Sequence, residues 1–109
     1  MAYDEGLAQR LRELLADRSD VAEKKMFGGL AFMVRGHMTV GVNKADLMLR
    51  CGPDRYQEVL ALPHAREMDF TKKPLKGFVY VDPKGFESDG ELQGWVDIGL
   101  GFATSMPAK

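Results

Sequence analysis

A chain of 109 residues, 45% hydrophobic and 28% charged, has room for one hydrophobic core, so a single domain over residues 1–109 is expected. A net charge of −1 with pI near 6.1 argues against a strongly basic nucleic-acid binder, and the lone Cys51 excludes a disulfide framework or a zinc finger. No apolar run approaches the roughly 18 residues of a membrane span, and the polar start Met1-Ala2-Tyr3-Asp4-Glu5 is no signal peptide, so no membrane contact and a cytoplasmic location are expected.

Leu7, Leu11, Leu14 and Leu15 recur at the spacing of one helix face, which predicts an amphipathic first helix. From Lys25 to Cys51 the period changes to two. Leu30, Phe32 and Val34 alternate with Ala31, Met33 and Arg35, and Met38, Val40 and Val42 alternate with Thr39, Gly41 and Asn43. With Leu47-Met48-Leu49-Arg50-Cys51 these form a three-stranded antiparallel meander, turned at Arg35-Gly36-His37 and at Asn43-Lys44-Ala45-Asp46. Gly52-Pro53-Asp54 opens a second helix with Tyr56, Val59 and Leu60 facing inward, and Pro63 stops it. Two strands follow around Arg66–Phe70 and Gly77–Val81.

Ser88 and Glu91 have the form of a capping box before Leu92, Trp95, Val96, Gly99 and Ala103, which predicts the last helix. Its glycines Gly94, Gly99 and Gly101 each cost about 1 kcal/mol relative to alanine, so packing must hold it, and close approach to a neighbour is one use for them. The order α-βββ-α-ββ-α folds most simply as a two-layer α+β domain, an antiparallel sheet with helices on a face.

No catalytic constellation stands out. His37 and His64 lack a partner at metal spacing, Cys51 has no adjoining histidine, and Ser19, Ser88 and Ser105 sit at ends or caps. Glu67 and Asp69 share a strand face, where two acids are ordinarily a solvated edge. The stripe Met26, Met33, Met38, Met48 and Met68 suits a core, or a soft partner surface where exposed. Net charge by segment is −2 over residues 1–20, +4 over 21–81 and −3 over 82–109. The basic middle makes Lys24, Lys25, Gly28, Gly29, Arg35, His37 and Arg50 the candidate anion or partner surface. The same Gly28-Gly29 pair also fits a bulge or bend that lets Phe27 enter the core.

The run Lys24-Lys25-Met26-Phe27-Gly28-Gly29, then Phe32, Gly36 and Met38, then Leu47-Met48-Leu49-Arg50, and later Phe78-Val79-Tyr80-Val81-Asp82-Pro83 resembles the N-terminal domain of the TfoX/Sxy family, named for regulators of natural competence in bacteria. The resemblance runs from the first helix to the last and is a packing signature. Ala31 stands near the place where members often carry a third glycine, and 109 residues leave no room for the second, helical domain of the full-length regulators. The resemblance implies a non-enzymatic cytoplasmic domain without a cofactor. It would act through a protein partner, as an accessory in transcription regulation; the pI near 6.1 makes direct nucleic-acid binding weak or absent. A symmetric homodimer would cover a free sheet face or edge. The rival expectation is a small-molecule or anion-binding domain, or an unrecognised enzyme, with its site at the Gly28-Gly29 bend.

Overall fold

Asp4 starts the first helix: its carboxylate accepts the backbone N–H groups of Gly6 and Leu7 at 2.8 and 3.3 Å, satisfying donors that the first turn leaves open. The computed structural model describes residues 3–26, 28–68 and 75–107. Helix α1 (Glu5–Leu14) buries Leu7 and Leu11, and Leu15 follows as its buried C-cap. Four strands come next, β1 (Val21–Met26), β2 (Gly29–Val34), β3 (His37–Asn43) and β4 (Asp46–Arg50). A 3-10 turn at Pro53–Arg55 leads into α2 (Tyr56–Leu60), then β5 (Ala65–Glu67) and β6 (Phe78–Val81), a second 3-10 turn at Pro83–Phe86, and α3 (Asp89–Thr104).

The predicted order is present, with one further strand: β1 precedes the meander and pairs with β2 from Val21↔Val34 to Met26↔Gly29. The six strands form one antiparallel sheet in the order β1-β2-β3-β4-β6-β5. Of the predicted strand Arg66–Phe70, the last two positions lie outside the described residues. The β2–β3 turn needs only two residues. Val34 pairs with His37, and Arg35 and Gly36 both take positive φ, 54° and 85°, as the tight turn matched to sheet twist requires.

The sheet divides the core in two. Leu30, Phe32, Val40, Val42, Leu47, Leu49, Val79 and Val81 face the helices and pack with Leu7, Leu11, Tyr56, Val59, Leu92, Trp95 and Val96. The opposite face buries Ala31, Met38, Met48, Met68 and Tyr80, with Met26, Met33, Leu75 and Phe78 packed against them. The methionine stripe is thus one face of the sheet, with Met26 and Met33 half-buried.

A bulge seats α3. Phe32 pairs with Val40 and Met33 with Met38, so Thr39 is the extra residue, fully buried with its hydroxyl donating to His37 O at 3.1 Å. At Gly99 a Cβ would lie 2.9 Å from Thr39 O, so this glycine lets helix and bulge touch; Cβ atoms at Gly94 and Gly101 would meet nothing within 4 Å. The capping box at Ser88 and Glu91 is complete: the Ser88 hydroxyl accepts the Glu91 N–H at 3.1 Å and the Glu91 carboxylate accepts the Ser88 N–H at 3.0 Å.

Candidate functional site

The seven residues of the basic-middle candidate separate into two groups at opposite ends of β2. Gly28 and Gly29 lie at its start and Arg35 and His37 past its end, roughly 17 Å apart along a strand rising about 3.3 Å per residue. Lys24 pairs with Ala31 and Lys25 with Leu30, so the two lysines project from opposite faces of the edge strand. Gly29 is closed off by its own sheet, because a Cβ there would stand 1.9 Å from Val42 O.

The second group surrounds the C-terminal end of α3. Arg35 Nη1 donates to Thr104 O at 3.2 Å and His37 Nε2 donates to Pro107 O at 2.7 Å. Cations and donors here complement the negative end of the helix. The Arg50 guanidinium lies over the rings of Phe78 and Phe102, 5.3 and 5.0 Å from their centroids, and burial pulls its pKa below the ordinary guanidinium value. Arg50 therefore joins β4, β6 and α3 by stacking. Arg50→Ala is expected to lower stability by about 1–2 kcal/mol, and Arg50→Lys to recover only part of that. Thermal unfolding of the two variants measures it; an unchanged Arg50→Ala would show that the stacking contributes nothing.

Two other bases of the middle segment, Arg55 and Arg66, are held by acids of this chain. Arg66 bonds Asp82 at 2.8 Å and also Asp46 while stacking 4.9 Å from the Tyr80 ring centroid, and Arg55 bonds Glu58 at 2.7 Å. Cys51 is buried, its thiol donating to Gly77 O at 3.5 Å. Burial pushes the thiol up, opposite to the shift that activates a nucleophile. Among the described residues, no group of three or more His, Cys, Asp and Glu is placed to hold a metal ion, and no helix is long and apolar enough to cross a membrane.

Besides a hollow of about 350 Å³ at the end of α3, lined among others by Cys51, Arg55 and Phe102, two others among the described residues lie on the helical side. One, of about 520 Å³ between α1 and β1, is lined by Arg12, Leu15, Val21, Glu23 and Phe32. Its two charged groups satisfy each other: Arg12 Nε and Nη2 donate to the Glu23 carboxylate at 2.7 and 3.0 Å, holding the Glu23 carboxyl below the usual range.

The other, a groove of about 370 Å³, opens where the α2–β5 loop meets α3 and the second 3-10 turn. Leu62, Pro63 and His64 form one wall, Gly85 and Trp95 lie between, and Gly94, Ile98 and Glu91 complete the α3 side. Backbone bonds fix the walls: Asp82 N–H donates to His64 O at 2.9 Å and Gly85 N–H to Asp82 O at 2.8 Å. The Trp95 indole N–H donates to Gly85 O at 2.8 Å, which leaves the ring as an apolar surface with its polar atom satisfied. His64 takes φ 73°, a left-handed conformation for which His is enriched relative to most side chains. Leu62, 39% exposed, is the one large apolar side chain that stands out in solvent among the described residues. The Ser88 N–H bond holds the Glu91 carboxyl below the usual range, so the groove carries a fixed negative charge at neutral pH.

None of the groove residues belongs to the basic-middle candidate. Trp95 is legible as a residue of the last helix and Leu62 as a position before Pro63, but their meeting depends on how α3 lies across the sheet.

An antiparallel sheet covered on one face by α1, α2 and α3 is a two-layer α+β domain. Residues 13–103 match the family model of the TfoX N-terminal domain. The chain belongs to that family and is a competence-regulator-like domain. No curated protein and no solved structure matches it.

Proposed function

We propose that this domain works without catalysis, through contacts with a partner protein in the cytoplasm, as an accessory in transcription regulation. Family membership supports the regulatory part of the reading. The observation that carries the protein-contact part is the exposed Leu62 beside the Trp95 floor of the groove. An apolar concave surface is characteristic of sites that bind partners or ligands. Arg35, Arg50, Arg55 and Arg66 are engaged within the chain, and the sequence pI near 6.1 makes phosphate contacts a poor basis for its action.

The test combines deletion of the coding sequence with cross-linking of the tagged chain in its own cells. The expected result is a changed set of transcripts together with a cross-linked component of the transcription apparatus. An unchanged transcriptome under conditions where the chain is expressed overturns the regulatory reading.

A further inference from the structure

The groove between Leu62 and Ile98 has an electrostatic character that narrows what it can bind. Its titratable lining groups are the Glu91 carboxylate and the His64 imidazole, and it contains no Lys or Arg. Helix α3 carries Asp89, Glu91 and Asp97 and no basic residue, and Lys84 is the single base between residues 82 and 107. Asp89 is drawn toward Arg10 at 3.4 Å, while Glu91 remains exposed at the groove.

An apolar floor with the Glu91 carboxylate at its rim is complementary to an amphipathic segment that places a bulky apolar side chain beside Lys or Arg. Gly94 has no side chain to fill the space, and a Cβ added there would meet nothing within 4 Å, so an incoming side chain can approach the helix backbone. A second copy docked symmetrically on the same face would oppose α3 to α3 and bring carboxylates against carboxylates, which disfavours that occupant.

We infer that the Leu62–Trp95–Ile98 groove is the docking site for a basic, amphipathic segment of a partner protein, with an apolar anchor seated over Gly94. This rests on the protein-contact reading above and specifies its surface and partner class. Seating the anchor places it against Trp95, the only tryptophan of the chain, so occupancy has its own signal.

The probe is a tryptophan-free peptide of leucine and lysine at helical spacing, titrated while Trp95 emission is followed, with leucine–glutamine and leucine–glutamate peptides in parallel. The lysine peptide is expected to saturate the emission change, to weaken as salt rises, and to bind at least about tenfold more tightly than the glutamate peptide. Gly94→Phe fills the groove from a position with open space and should abolish binding with the fold intact by circular dichroism. Gly90→Ala, elsewhere on α3, should leave binding unchanged. Glu91→Gln keeps a side chain able to complete the capping box and should lower affinity for the lysine peptide several-fold while leaving the glutamine peptide unaffected.

Equal binding of all three peptides, undiminished binding to Gly94→Phe, or no emission change at all overturns the inference. So does an emission change that follows protein concentration alone, which would assign the groove to a second copy. A cellular partner that Gly94→Phe retains would leave the protein-contact reading standing and remove this groove as its site.

Discussion

Gly29→Ala is expected to lower stability by about 3 kcal/mol, near the upper end for overpacking a well-filled site. At about 4–6 °C per kcal/mol for a domain of this length, the midpoint of thermal unfolding should fall by about 12 to 18 °C. The cause is the 1.9 Å separation between an added Cβ and Val42 O, with the Val42 carbonyl carbon 2.9 Å away. These are backbone atoms of β3, which pairs Leu30 with Val42 directly alongside. No rotamer change can relieve such a clash, so the first residues of β2 must move away from β3. The same substitution at Gly94 should have the opposite sign. Its Cβ would meet nothing within 4 Å, and replacing a helical glycine by alanine gains up to about 1 kcal/mol. Equal midpoints for the two variants would refute the packing argument.

Phe32→Ala should cost about 3–5 kcal/mol, the range for truncating a buried aromatic ring. Phe32 is 1% exposed and belongs to the cluster that joins the sheet to α1 and α3. A domain of this kind has about 5–15 kcal/mol in total, so the variant would lie near the limit of folding. The denaturant midpoint should fall with the slope unchanged. Met33→Ala is the internal comparison: one residue along the strand, it faces the methionine side and is half-buried, so its loss should be clearly smaller. A Phe32→Ala midpoint no lower than that of Met33→Ala would show that the helical side is not the principal core.

Several elements were legible from local pattern because their physics is local. The leucine spacing of α1, the proline entry to α2 and the Ser88–Glu91 capping box each act within a few residues, and each lies where the pattern places it. Strand β1 was hidden because its sequence, Val21-Ala22-Glu23-Lys24-Lys25-Met26, is mostly exposed at the sheet edge. An edge strand keeps charges as protection against further pairing, and those charges erase the alternation that marks a strand. The Thr39 bulge was hidden for another reason: it shifts the alternation by one residue, visible only once Val40 and Met38 are paired with β2. The charge surplus of the middle segment described a stretch of chain. Consecutive strand residues point to opposite faces, so Lys24 and Lys25 diverge in space although they adjoin in sequence.

By itself the sequence determined the class of fold, the order of its helices and of every strand but β1, and the family, because periodicity, caps and turn residues act over short distances. Only the tertiary structure decided where the chemistry lies. It turned Arg35, His37 and Arg50 into fastenings for the end of α3 and closed Gly29 against Val42. It also brought Leu62 to Trp95 and Ile98, residues more than thirty positions away in sequence. The reason is that a groove is made by the crossing of elements, and the angle and depth of that crossing are set by contacts such as Thr39 with Gly99 that no local pattern contains.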